Sequence, residues 1–370
     1  MFYTFRFKLY AKFMDFPIFC TKIKDDDKKF NLTDPKERKD YFYHKAGPEI
    51  EKLKGFVKDN TFIVYLLGKK NSGKGTYSKM LAELLGEDKL EHFSVGDMIR
   101  AISKKIKDPA KKVELSVYLE KNYRGWVPVE KLIPVIEGRD TKTLLPTELI
   151  LALVKREIAK RVRKTIFIDG FPRDMDQVSY SLFFRDLIGF RDDPDVMTFI
   201  DVPTNVIAER IKWRRICPIC QTSRNIKLLP TLNVGYDGQT QEFYLICDNQ
   251  SCTGFNKQRM VSKEGDELGI EPIRERLAID QKLMEKAMEL HGIPKVFLRN
   301  ALPAAKAKEC VDDYELTYAY EMAWDEKNKK VDMVEKPWVV KDDNGVDSYS
   351  LQAPAVAVSL IKQLTKALGL

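Results

Sequence analysis

Residues 61–67, Thr-Phe-Ile-Val-Tyr-Leu-Leu, form a continuous apolar, β-favouring run without polar alternation. That is the pattern of a strand covered on both faces. A polar, glycine-rich stretch occupies 68–76, and a helical pattern then runs to Leu85, with Gly86 placed to cap it. Further strand-like runs lie at 91–94, 165–168, 196–201 and 295–298, separated by helical patterns at 147–162, 204–215 and 273–290. Strands alternating with helices predict an α/β fold around a parallel sheet. Upstream, Asp34-Pro35 signals a helix start, and the helix should run to about Lys58 with a break at Gly47-Pro48. Two stretches depart from the alternation. Residues 217–252 are turn-rich and hold four cysteines, and 301–350 are dense in Tyr, Trp and Val. The second reads as a small β-meander before a last helix at 354–368.

Composition narrows the function classes. The 370 residues are 44% hydrophobic, 32% charged and 11% aromatic, which suits a buried core and excludes a wholly disordered or fibrous chain. No run approaches the roughly 18 apolar residues of a membrane helix. Sixty-three Lys and Arg against 55 Asp and Glu give +8, an excess compatible with a polyanionic ligand but small for a dedicated nucleic-acid binder. Three histidines leave little room for histidine-based acid–base chemistry, and six cysteines are too few for a disulfide scaffold. Arg6, Lys8, Lys12 and Asp15 interrupt the aromatic start, so no signal-peptide core is expected. The expected compartment is the cytoplasm, with Met14 an alternative first residue.

The stretch after the first strand carries the chemistry. Gly68-Lys69-Lys70-Asn71-Ser72-Gly73-Lys74-Gly75-Thr76 has the GxxxxGK spacing. Its glycines let consecutive backbone N–H groups turn toward one anion, the helix N-terminus adds its dipole, and Lys74 supplies a mobile charge. Many P-loop proteins follow the lysine with Ser or Thr to hold Mg²⁺. Here Gly75 follows.

Gly-Lys-Gly-Thr resembles the loop of adenylate kinases and their nucleoside monophosphate kinase relatives, and the family's other motifs follow in order. Ser94-Val95-Gly96-Asp97-Met98-Ile99-Arg100 is similar to the segment that opens the monophosphate-binding domain. Asp169-Gly170-Phe171-Pro172-Arg173 with Gln177 matches the family signature, and Asp201-Val202-Pro203 with Arg210, Arg214 and Arg215 resembles the helix into the lid. Cys217 and Cys220 fall where zinc-bearing members place their first cysteine pair. Arg274 and Arg276 match the arginines after the lid, and Ala353-Pro354 resembles the loop at the ATP base. The resemblance covers about 61–300 and 350–370.

The resemblance implies a P-loop-type parallel five-stranded sheet. Its core would comprise 61–94, 165–213, 273–300 and 350–370, with a monophosphate-binding domain at 95–164 and a zinc lid at 214–272. Residues 1–60 would be an N-terminal extension and 301–349 a β-rich insertion. Gly68, Asn71, Ser72, Gly73, Lys74, Gly75, Thr76, Arg210, Arg214 and Pro354 would bind ATP, with Arg210 stacking on the base. Val95, Gly96, Arg100, Leu145, Gly170, Arg173, Gln177 and Arg276 would bind the monophosphate. Lys74, Arg173, Arg214, Arg276 and Asp169 would be catalytic, while Asp97 and Asp169 orient waters on Mg²⁺. Phosphoryl transfer through a loose transition state depends on positioning and charge neutralisation, which suits many cations and few histidines.

The implied reaction is ATP + AMP to two ADP in a cytoplasmic monomer, with no nucleic-acid or membrane partner. Gln177 favours adenine, because an amide can pair with both N1 and N6. Alternatives are another acceptor such as UMP, CMP or GMP and, from a different class, a zinc-ribbon nucleic-acid-binding protein. Cys217 with Cys220 and Cys247 with Cys252 are two short-spaced pairs that suit a structural Cys₄ zinc site. Three departures stand out. Val95 replaces a threonine; the lid arginine about eleven residues before Arg276 is absent, leaving Lys263 as the nearest cation; and the acceptor region has two entry segments, 125–128 and 143–146, the second preferred. His92 reads as a packed or surface histidine.

Overall fold

A computed structural model describes residues 16–138, 145–171 and 177–370, with only the backbone at 177 and 178. Five parallel strands form its main sheet. Four are β1 (Ile63–Gly68), β2 (Leu90–Ser94), β3 (Thr165–Asp169) and β4 (Asp195–Asp201), and the strand Lys295–Arg299 completes the order Lys295–Arg299, β4, β1, β3, β2. Helices cover both faces, so the central strand needs no polar side. Val64 and Leu66 of β1 join one buried cluster, while Ile63, Tyr65 and Leu67 join another across the sheet.

The first cluster includes α1 (Pro35–Asp59), α2 (Lys74–Leu85) and the last helix, Ala353–Ala367. Asp34 caps α1 by accepting the N–H groups of Lys36 and Glu37, both at 2.9 Å. The chain kinks at Ala46, just before Gly47-Pro48, where helical geometry is lost. Tyr41, Ile50, Leu53 and Val57 point inward from α1. The extension is tied down further by a buried carboxylate. Glu315 accepts from the Thr21 hydroxyl at 2.7 Å, from the Tyr41 hydroxyl and from the Asp312 N–H. Three donors satisfy a charge that would otherwise be costly to bury. A disulfide joins Cys20 to Cys310 beside it.

The opposite face carries α3 (Val95–Lys105), α4 (Pro109–Asn122), α5 (Val129–Glu137), α6 (Thr147–Lys160) and α7 (Gln177–Leu187); α8 (Thr204–Lys212) packs on the first cluster, and α9 (Arg274–Met288) meets both, through Leu277 on the first and Leu283, Met284 and Ala287 on the second. Pro128 precedes α5 and Pro146 precedes α6, so both entry segments noted in the sequence end in a proline followed by a helix. Of the second segment, 143 and 144 lie outside the described residues.

Two expectations are corrected. The helix expected at 204–215 stops at Lys212. Arg214–Ile216 is instead a strand pairing antiparallel with Ser223–Asn225 and Val261–Ser262. Residues 301–350 are not one meander. Ala301–Pro303, Asp347–Ser350 and Val339–Lys341 form a three-stranded sheet, Ala304–Cys310 is a short helix, and Tyr318–Asp325 with Lys330–Pro337 is a separate hairpin.

Candidate active site

Gly68, Ser94 and Asp169 lie at the carboxyl ends of the neighbouring strands β1, β2 and β3, with Ser94 and Asp169 direct register partners. Ligands of open parallel sheets bind at this edge. The loop after β1 folds back through two left-handed residues, Asn71 at φ 66° and Gly73 at φ 95°. At Gly68 an added Cβ would lie 2.7 Å from Ser72 Oγ and 3.0 Å from the Ile200 carbonyl, so the turn admits no side chain there.

Helix α2 opens without a side-chain cap, whereas α1 is capped by Asp34 and α4 by Asp108. The Thr76 N–H donates to the Gly73 carbonyl at 2.9 Å, and the helix dipole points its positive end at the loop, where it favours an anion. Lys74, the first residue of the helix, donates through Nζ to the carbonyls of Gly68 at 2.8 Å and Lys69 at 3.0 Å. The Lys70 N–H donates to Asp280 of α9 at 2.8 Å, and the same carboxylate lies 3.9 Å from Arg276 Nε. Asp280 thereby links the loop to one of the arginines expected to act.

Asp169 faces the loop. Burial pushes its carboxyl up, but His92, Lys74 and Ser94 together outweigh that and hold it below the ordinary carboxylate value. His92 Nε2 is 3.4 Å from Asp169 Oδ2, and its Cε1 would be 3.7 Å from a Cβ on Gly75. His92 therefore sits between the loop and Asp169, a placement that a single histidine in a strand pattern did not disclose. Gly170, at φ 80°, brings the chain so close to α3 that a Cβ would lie 3.2 Å from Ser94 Oγ and 3.5 Å from the Val95 N.

Val95 is buried at the start of α3, Gly96 follows, and Arg100 one turn later pairs with Asp97 on an exposed face. Leu145 is buried ahead of α6. Arg210, at the end of α8, donates to Asn300 at 3.3 Å, and Arg214 forms a two-bond ion pair with Asp266. Pro354 is buried in the first turn of the last helix. Arg173 lies outside the described residues, and so does the side chain of Gln177.

Similar proteins agree with this arrangement. The chain is 31% identical to an adenylate kinase of Hydrogenobaculum sp. over 164 residues, 44% of this chain and 65% of the relative. It is 32% identical to an adenylate kinase of Clostridium acetobutylicum over 169 residues, 45% of this chain and 66% of the relative. With an adenylate kinase of Clostridium beijerinckii it shares 26% over 230 residues, 62% of this chain and 86% of the relative. The first two matches thus span just under two thirds of each relative's length. No family model matches the chain. These matches support a place for the chain in the adenylate kinase and nucleoside monophosphate kinase family.

The cysteines form a second centre. The sulfurs of Cys217, Cys220, Cys247 and Cys252 all lie within 4.8 Å of one another, with Cys217 Sγ 3.9 Å from Cys252 Sγ and Cys220 Sγ 3.7 Å from Cys247 Sγ. A tetrahedron of Zn–S bonds near 2.3 Å has S···S edges of about 3.8 Å, so the donor set fits that ion. Leu245 and Met260 pack around the sulfurs, giving the segment a small core of its own. Lys263 lies just beyond the Val261–Ser262 strand, and its backbone carbonyl accepts the N–H of Asp266, the partner of Arg214.

Proposed function

We propose that the protein is an adenylate kinase that moves the γ-phosphoryl group of ATP to AMP, giving two ADP. The 68–76 loop, turned back through Asn71 and Gly73 into the N-terminus of α2 with Asp169 beside Lys74 across the strand ends, is the observation that carries this reading. A phosphate oxygen of AMP forms a bond to the γ-phosphorus while the bond from that phosphorus to the β–γ bridging oxygen breaks. The acceptor is already an anion and needs no strong base. Lys74 and the loop amides hold the ATP phosphates, and Arg100 and Arg173 hold the acceptor phosphate. Arg214 and Arg276 close on the transferring group by paired guanidinium contacts. Arg210 and Pro354 border the ATP base; Val95, Gly96, Leu145, Gly170 and Gln177 border the acceptor.

Bound Mg²⁺ would neutralise phosphate charge. Asp169, kept ionised beside Lys74, suits the water-mediated contact that Gly75 cannot supply, and Asp97 is the second carboxylate of that role. Segment 214–272 acts as the lid over the site, shaped by a structural zinc on its four cysteines, and 95–164 as the acceptor domain. The segments assigned to the core, the N-terminal extension and the insertion at 301–349 complete this organisation. The reading includes a cytoplasmic monomer without a nucleic-acid partner. Among the described residues no helix is long and apolar enough to cross a membrane.

Val95 favours a second, broader reading. Where a hydroxyl is replaced by a methyl group, discrimination among acceptor bases is relaxed, so other monophosphates are used measurably beside AMP. Lys74→Met tests the site: it should nearly abolish transfer while leaving the circular dichroism spectrum unchanged. Wild-type turnover in that variant would overturn the assignment.

A further inference from the structure

The hairpin Tyr318–Asp325/Lys330–Pro337 lies outside the phosphate site, and among the described residues its two strands pair only with each other. Its first strand nevertheless has a covered face. Tyr320, Met322 and Trp324 are partly buried, while Glu321 and Ala323 between them are exposed. Period-two burial of this kind requires a partner surface. That surface is the cysteine-bearing segment. The Tyr320 N–H donates to the Lys227 carbonyl at 2.7 Å, Met322 packs against the cluster around Cys217, Cys247 and Cys252, and the Trp324 ring stacks on Tyr236 with centroids 4.9 Å apart and planes 19° from parallel. The contacts run along the segment, from the turn after Ser223–Asn225 to the hairpin Val234–Asp237/Glu242–Leu245.

The other end of the hairpin is anchored in the body of the protein. The Thr317 N–H donates to the Ser350 carbonyl at 2.8 Å, Leu316 bridges to Leu351, and Val339–Lys341 pairs with Asp347–Ser350, itself paired with Ala301–Pro303. Both strands of the hairpin therefore leave from a fixed sheet. Displacing 223–262 from the observed position requires either breaking the stack and the hydrogen bond or bending the hairpin at its root.

We infer that this hairpin is a brace that holds the cysteine-bearing segment in place, with Trp324 and the backbone N–H of Tyr320 as its positioning groups. The inference concerns the segment's mobility and stands on these contacts; its consequence for phosphoryl transfer rests on the kinase reading. In that reading the insertion limits the swing of the lid, and with it the approach of Arg214 to phosphate. A loosened lid admits water.

Hydrogen exchange of the full-length protein, read by mass spectrometry without nucleotide, tests the brace. Trp324→Ala should speed amide exchange across 223–262 by about 2- to 12-fold, the range expected on losing an aromatic pair. Exchange in β1, β3 and β4 should not change. Trp324→Phe should restore protection by restoring the stack. Tyr320→Pro should act like Trp324→Ala, because it removes the donor to Lys227 together with the partly buried ring, while Tyr320→Phe, which keeps both, should not. Trp126→Ala, at a side chain 99% exposed, should leave the segment unaffected. Unchanged exchange at 223–262 in both Trp324→Ala and Tyr320→Pro would overturn the inference, as would a rise spread equally over the whole chain. A separate assay of ATP hydrolysis without acceptor should show an increase in Trp324→Ala. Failure of the wild type to transfer phosphate from ATP to AMP would count against the kinase reading and leave the exchange result intact.

Discussion

Arg214 and Asp266 face each other through two bonds of 2.6 Å, Nε to Oδ2 and Nη2 to Oδ1. Asp266 stands next to Gly265, the position where the family pattern expects an arginine. In the proposed kinase the ion pair holds against a carboxylate a guanidinium assigned to the phosphates, so ATP would compete for it. Asp266→Asn should lower the KM for ATP several-fold, and Arg214→Ala should reduce kcat by about 10²–10³, as for loss of one transition-state donor. Steady-state kinetics on both variants check this; an unchanged kcat in Arg214→Ala would remove Arg214 from the chemistry.

The phosphate loop should tolerate no side chain at two positions. A Cβ at Gly68 meets Ser72 Oγ and the Ile200 carbonyl, and Gly73 combines φ 95° with a Tyr77 ring carbon 3.1 Å from a Cβ. Gly68→Ala should cost about 1–3 kcal/mol through overpacking. Gly73→Ala should displace Lys74 and weaken ATP binding with it. Denaturant unfolding and nucleotide titration would register the two effects separately.

Two aspartates predict opposite pH behaviour. Burial raises Asp195 from its ordinary 3.8 to about 6, although the Gly189 N–H donates to it at 2.6 Å. Between those values the native state holds a proton that the unfolded chain has lost, so this contribution is full below about pH 4 and is lost as pH rises through 6. Asp195→Asn should therefore raise the melting temperature at pH 7.5 and change it little at pH 4. Asp169 is held below its ordinary value, so its contribution is present above about pH 4 and is lost as pH falls through the lowered value. His92→Ala removes one lowering partner and should move the acid limb of the pH–rate profile upward.

Zinc is expected at about one per chain, bound by Cys217, Cys220, Cys247 and Cys252. Cys247→Ser should lower metal content and melting temperature together and speed proteolysis within 217–262. The segment's core among the described residues is little more than Leu245, Met260 and the sulfurs. A metal-free preparation of unchanged stability would contradict it.

The parallel sheet was legible because its strands are apolar runs buried on both faces, a pattern that neighbouring contacts do not override. β1 began two residues later than the run suggested, and β4 one residue earlier. The break in α1 could likewise be read from Gly47-Pro48. Residues 301–350 differ from a single meander because Tyr, Trp and Val announce strands without saying which strands pair, and the short Ala-rich helix Ala304–Cys310 carries no amphipathic period long enough to notice. Arg214–Ile216 reads as helix in isolation and becomes a strand because Ser223–Asn225 and Val261–Ser262 offer it partners. In the site, the loop declared itself by spacing. His92, Asp266 and Asp280 did not, since each is a single residue whose role arises from a neighbour distant in the chain.

Phosphorus NMR of the purified protein with ATP, Mg²⁺ and each of AMP, CMP, UMP, GMP and dTMP in turn tests the central claim most directly. The account predicts conversion of ATP and AMP to ADP, faster than conversion with any other acceptor and nearly absent in Lys74→Met. Failure of a folded protein to phosphorylate any of the five monophosphates would contradict it.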